Sequence, residues 1–257
     1  MSLAVLRTPE PIPLQWPGSE TFTEVEFAGL PQPVCRYFAA ALAPDVPLHS
    51  SVRLDVRGHL RRRLWLPFHA RYELTNRLDF FGLGSAGELV AGGERYVAGA
   101  AKRRARLAGI VPLRDGSGND LSRSTAGRAA LAAVMLPTAL LPRFGVEWTA
   151  SDDGEIHAAL RVHDVPVTLR LRIDGDGRPL AAVVNRWGDP DGTGVWGWHP
   201  FGAVFTDETS RAGLTVPSAG TAGWFAGTDR WDDGQVLRFR ITELGRFDDP
   251  EAAPLAA

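Results

Sequence analysis

The sequence predicts a mainly β protein: a single curved or partly closed antiparallel sheet, a long helix packed on its concave face, and a short N-terminal helix. Three observations predict it. Apolar and polar residues alternate through most of the chain from Val52 onward, the period of a strand with one buried face. Gly and Asp turn residues recur at roughly ten-residue spacing, which favours an antiparallel meander over βαβ units. Only two stretches read as helix, one by its apolar stripe and one by its alanines and leucines. The chain has 257 residues, long for one domain but ordinary for a β barrel or sandwich. At that length it can bury about three-quarters of its unfolded surface without a disulfide or a metal.

The order of elements follows. Residues 1–22, with Pro9, Pro11, Pro13 and Pro17, read as a Pro-rich arm, 23–245 as one β-rich domain, and 246–257 as a flexible tail. Pro31 to Leu42 is the short helix, with Val34, Tyr37, Phe38, Ala41 and Leu42 on one stripe and Pro44 as its stop. Val52, Leu54 and Val56, then Leu66 to Leu74, make a hairpin with Arg61-Arg62-Arg63 at its tip. Short strands are expected at 78–81, 88–91, 94–98 and 104–111, with Gly92-Gly93 as a turn. The long helix runs from Asp120 or Ser122 to Leu136, where Pro137 forbids the next backbone bond. Strands are then expected at 156–162, 165–173, 180–187, 195–206, 214–216, 221–226 and 236–242.

Composition excludes several classes. A formal charge of −2 argues against a protein whose whole surface binds phosphate backbones. The single cysteine, Cys35, rules out an intrachain disulfide. No apolar run reaches membrane-spanning length, and the N-terminus has no apolar core for a signal peptide, so a cytoplasmic protein is the default expectation.

Several motifs have plainer explanations. Gly82-Leu83-Gly84-Ser85-Ala86-Gly87 fits the dinucleotide fingerprint, but that chemistry needs a helix next. Gly92-Gly93 follows instead, and the segment reads as a glycine-rich hairpin loop. The basic run Lys102, Arg103, Arg104 and Arg106 lacks the interleaved aromatics of a nucleic-acid groove and reads as a solvated strand face. No metal-ligand spacing is present, His157 and His163 being separated by Arg161. No cofactor is implied, and no covalent nucleophile stands out.

Aromatic residues remain. Trp148, Trp187, Trp196, Trp198, Phe201 and Trp224 fall in the second half, with Arg186 and His199 among them. Core filling accounts for them in the plainer reading, because tryptophan buries so much area. In the sharper reading they line a cleft for an apolar or amphipathic small molecule, with Arg186 or His199 gripping its polar head. A cofactor-independent enzyme using Arg186 and His199 for electrostatics and proton transfer is the alternative, and a structural protein with no ligand is the third.

Several segments together resemble an uncharacterised bacterial family, a domain of unknown function. They are Leu30 to Tyr37, Val52 to Gly58 with Trp65-Leu66-Pro67-Phe68, Arg95-Tyr96, Leu136-Pro137-Thr138-Ala139-Leu140-Leu141-Pro142 with Trp148, and Arg186. The resemblance covers nearly the whole chain, and the Leu-Pro-Thr-Ala-Leu-Leu-Pro segment is its most specific part. It implies the curved-sheet class of the lipoprotein carriers, in which an antiparallel sheet wraps around helices. The chain departs from the family where a glutamate and a tryptophan precede the proline, having Ala132 and Met135 there, and where a Pro-Trp pair is Pro200-Phe201 here.

Overall fold

The computed structural model describes residues 20–48, 51–87, 90–107 and 111–245. Most of the expected arm, the expected tail and His49 lie outside these residues.

Among the described residues, thirteen strands form one sheet. They are β1 (Ser51–Arg61), β2 (Trp65–Thr75), β3 (Phe80–Ala86), β4 (Val90–Val97), β5 (Ala100–Leu107), β6 (Val111–Ser117), β7 (Glu147–Ala150), β8 (Glu155–Val162), β9 (Val165–Ile173), β10 (Pro179–Gly188), β11 (Gly197–Arg211), β12 (Leu214–Trp224) and β13 (Gln235–Gly245). Two meanders stand back to back. Strands β1 to β6 step outward one way and β13 back to β7 the other, joined where β1 pairs antiparallel with β13.

The sheet is curved and not closed. Helix α2 (Asn119–Ala132) contacts β4, β5 and β6 in one wing and β8, β9 and β10 in the other. Only a sheet curled around the helix can bring both wings to it. Distant turns meet as well: the Tyr96 hydroxyl donates to the Val162 carbonyl at 3.4 Å, and Asp79 accepts from the Ala98 amide at 3.1 Å while bonding His163 at 3.0 Å. Among the described residues, the edge strands β6 and β7 pair with nothing further.

Helix α1 (Gln32–Ala41) buries Val34, Tyr37, Phe38 and Ala41, as its stripe predicts. Helix α2 lies tight on β10 because its contact face is small: a Cβ at Gly127 would sit 3.2 Å from the Arg186 Cγ. The helix ends four residues earlier than expected. Residues Ala133–Met135, Pro137–Leu140 and Pro142–Phe144 continue as tight 3₁₀ turns, since each proline lacks the N–H a regular helix would use. No helix among the described residues is long and apolar enough to cross a membrane.

Three expectations need correction. Gly92-Gly93 is not a turn but the middle of β4, and the chain turns at Ala98-Gly99. Gly82 to Ala86 is not a loop but strand β3. The reason is shared, for a Cβ at Gly92 would lie 2.7 Å from the Arg104 carbonyl oxygen and one at Gly82 would lie 2.8 Å from the Tyr72 ring. These glycines serve close approach within a sheet, which sequence alone does not separate from turn chemistry. The two short strands expected at 214–216 and 221–226 are one strand, β12.

Candidate functional site

Strand alternation sets the site. On β10 the inward face carries Ala182, Val184 and Arg186, all buried. The register places His199 opposite Arg186, and Phe201 opposite Val184 and Trp224. An arginine thus ends an apolar row, facing the helix.

Arg186 is 8% exposed. Its Nε donates to the Ser124 carbonyl at 3.0 Å and lies 3.2 Å from the Ser124 hydroxyl. The guanidinium carbon sits 4.4 Å from the Phe201 ring centre and 4.9 Å from that of Trp224. Among the described residues, nothing hydrogen-bonds its two terminal nitrogens and no carboxylate lies within ion-pair distance. Burial, followed by the charges of Arg128 and Arg103, pulls its pKa down to about 9, against the opposing pull of Glu94.

Glu94 approaches from the other wing. It sits on the inward face of β4, 5% exposed. Arg103 of β5 donates through Nε at 2.7 Å, Arg128 of α2 stands 3.4 Å away, and the Thr125 hydroxyl lies at 2.9 Å, its one proton shared between Glu94 and the Leu121 carbonyl at 2.8 Å. Burial alone would raise this carboxyl, but the surrounding arginine charges and the Arg103 hydrogen bond outweigh it and hold it at about 2. Arg128 lies over the Tyr72 and Phe80 rings at 5.2 and 4.7 Å. Two guanidiniums therefore hold one carboxylate, with the charge of Arg186 felt from beyond ion-pair distance, and the side chains of Arg103 and Arg128 each keep 28% of their surface in solvent.

The helices cover the deep rows of the concave face. Toward the hairpin tips, the inward residues Leu60, Leu66, Phe68, Leu107, Leu237 and Phe239 remain half-buried. All but Leu107 lie on strands between β4 and β10, so an apolar strip of the concave face, the trough, runs from the Glu94 side to the Arg186 side. A separate cavity of about 280 Å³ lies at the opposite end of the strands, beside Ala41, Leu180, Phe205 and Val216. Its rim charges are engaged with one another, Arg178 with Glu208 and Asp207 with Arg240. It holds no unengaged buried charge to match Arg186, so the trough is the better candidate.

The expected site residues do not all converge. Arg186, His199 and Phe201 share the inward face, and Trp224 joins them. Trp187 and Trp198 are out of phase with Arg186 and pack edge-on at 5.3 Å, and Trp187, at the end of β10, reaches the start of α2, donating to Asp120 at 2.7 Å. Trp196 lies just before β11, 37% exposed. Trp148 is in the core beneath α1, packed on Tyr37 and Phe38 and donating to the Leu140 carbonyl at 2.9 Å. The basic run is corrected too: Lys102 and Arg104 are exposed, whereas Arg103 turns inward to Glu94. Sequence reasoning missed Glu94, Arg103 and Arg128. No group of metal-ligating side chains occurs among the described residues.

A family model described as a family of unknown function, DUF6544, matches residues 20–234. The chain belongs to that family. The DUF6544 match spans α1, α2 and strands β1 to β12, so it includes Glu94, Arg103, Arg128 and Arg186. No curated protein matches the chain. Among solved structures, it is similar to a putative outer membrane lipoprotein-sorting protein domain from Vibrio parahaemolyticus at 10% identity, covering 86% of this chain and 92% of that one, with a TM-score of 0.40. It is also similar to a LolA superfamily protein from Nitrosomonas europaea at 10% identity, covering 85% and 94%, with a TM-score of 0.42.

Proposed function

We propose that this DUF6544 protein binds an amphipathic small anion, its tail along the concave trough and its head on Arg186. One observation carries the reading. Arg186 is 8% exposed, and its two terminal nitrogens, unbonded by the described residues, are not sealed from solvent, so an anion can reach them and offset the desolvation of the cation. The apolar rows between the walls suit a short alkyl or aromatic tail, and apolar clefts with a few convergent polar groups are the usual form of small-molecule sites. Phe201 and Trp224 flank the guanidinium, so a ligand reaching it passes a tryptophan reporter.

Titration with decanoate, followed by tryptophan fluorescence, tests this. Saturable quenching is expected in the parent. In Arg186→Met the affinity should fall about tenfold, or about 1.4 kcal/mol. Linear, non-saturating quenching in the parent would remove the proposal.

A further inference from the structure

Resting on that reading, we infer that the preferred head group carries two negative charges, a phosphate monoester being the simplest such group. The argument is charge balance in a confined place. Arg103, Arg128 and Arg186 bring three positive charges to the site, and Glu94 supplies one negative charge. A monoanion leaves one positive charge uncompensated, whereas a dianion closes the balance. Geometry permits one head group to meet two walls. Arg186 is anchored at Ser124, Arg128 projects from the same helix one turn further on, and the two cations are close enough for the charge of Arg128 to act on Arg186. Glu94 occupies one edge of Arg103 and Arg128 while each keeps solvent-facing surface. Guanidinium forks match tetrahedral phosphate oxygens in paired contacts, which a lysine cluster would not do as well.

Octyl phosphate, octyl sulfate, octanol and inorganic phosphate, all below micellar concentration, distinguish the possibilities on the full chain. A phosphate monoester takes its second charge near pH 6, while the sulfate is a monoanion throughout. Octyl phosphate should bind about tenfold more tightly at pH 8 than at pH 5. The sulfate corrects for protein groups that titrate, since His199, Glu94 and Tyr72 face the arginines from β11, β4 and β2. Arg103→Gln lowers the balance by one charge and should narrow the phosphate-to-sulfate preference while sulfate still binds. Equal, pH-independent binding of both octyl anions would overturn the dianion inference and leave the amphipathic-anion reading standing. Binding of inorganic phosphate as tight as octyl phosphate would uphold the dianion and overturn the tail. Octanol matching octyl sulfate would show that Arg186 grips nothing, and the underlying reading would fall with the inference.

Discussion

Ser124 and Thr125, adjacent on α2, hold opposite walls of the sheet. The Ser124 carbonyl and hydroxyl lie on Arg186 of β10, and the Thr125 hydroxyl shares its proton between Glu94 of β4 and the Leu121 carbonyl of its own helix. Six strands separate β4 from β10 in the sheet order. One dipeptide thus straps the curl, and it does so at the residues that make the candidate site. Shape and site chemistry share the same bonds.

Thr125→Val keeps the volume and removes the hydroxyl. Glu94 then loses a buried partner, so unfolding in urea should show a loss of about 1–3 kcal/mol. Ser124→Ala should cost less, because the backbone carbonyl still accepts from Arg186. Equal stability of Thr125→Val and the parent would show that the strap carries no load.

Acid should loosen the same strap. Glu94 titrates at about 2 in the folded chain, against an ordinary value near 4.3 when unfolded. The unfolded state therefore takes up its proton first. The contribution of Glu94 is complete above about pH 4.3 and disappears as pH falls toward about 2. Stability measured across this window should fall in the parent and fall less steeply in Glu94→Gln. Parallel curves would place the acid sensitivity elsewhere.

Much of this fold is legible in the sequence because its signals are local. Both helices, the β1–β2 hairpin and strands β8 to β10 show their period within ten residues or so, and Asp174 to Arg178 carries its own turn chemistry. The β1–β13 pairing is not legible, since nothing in either strand names a partner nearly two hundred residues away. Arg186 was recoverable because it interrupts an apolar row. Arg103 carried the same kind of signal, lying between Ala101 and Ala105 on the inward side of β5, but the neighbouring exposed Lys102 and Arg104 hid it. Glu94 was hidden by Gly92-Gly93, which reads as a turn until Gly84 and Ala105 are seen pressed against Gly92.

Arg186 should be replaceable at little cost to folding. Its side chain is largely buried without an acidic partner in ion-pair distance, and an apolar side chain of similar length avoids that partial desolvation. Loss of the ring contacts and the Ser124 bond works in the other direction. Arg186→Met should therefore unfold within about 1 kcal/mol of the parent while losing anion binding. A large drop in stability would assign Arg186 to the sheet instead of to a ligand.

The same arginine predicts an alkaline limit. Its folded pKa of about 9 lies below the ordinary guanidinium value. Below about pH 9 the free protein presents the cation, and an anion meets it directly. Above that pH the group must first take up a proton, so affinity falls with each further rise. Octyl sulfate, whose own charge is constant, should bind more weakly at pH 10 than at pH 8. In Arg186→Met that difference should vanish, and its persistence there would point to another titrating group.

Trp148 separates core from site. Its ring packs on Tyr37 at 5.6 Å and Phe38 at 5.5 Å, and its Nε1 hydrogen bonds the carbonyl of Leu140 in the Leu-Pro-Thr-Ala-Leu-Leu-Pro stretch. That bond fastens the turns after α2 to strand β7, which is only four residues long. Trp148→Phe removes the donor, leaves the Leu140 carbonyl without it in a buried place, and opens a small void. A loss of about 1–3 kcal/mol is expected on those grounds. Arg186, Phe201 and Trp224 do not touch this ring, so decanoate affinity should stay within about twofold of the parent, the range expected for distant, independent sites. If Trp148→Phe instead abolished binding in a chain that remained folded, the ligand would have to reach beneath α1, and the trough would be the wrong place for its tail.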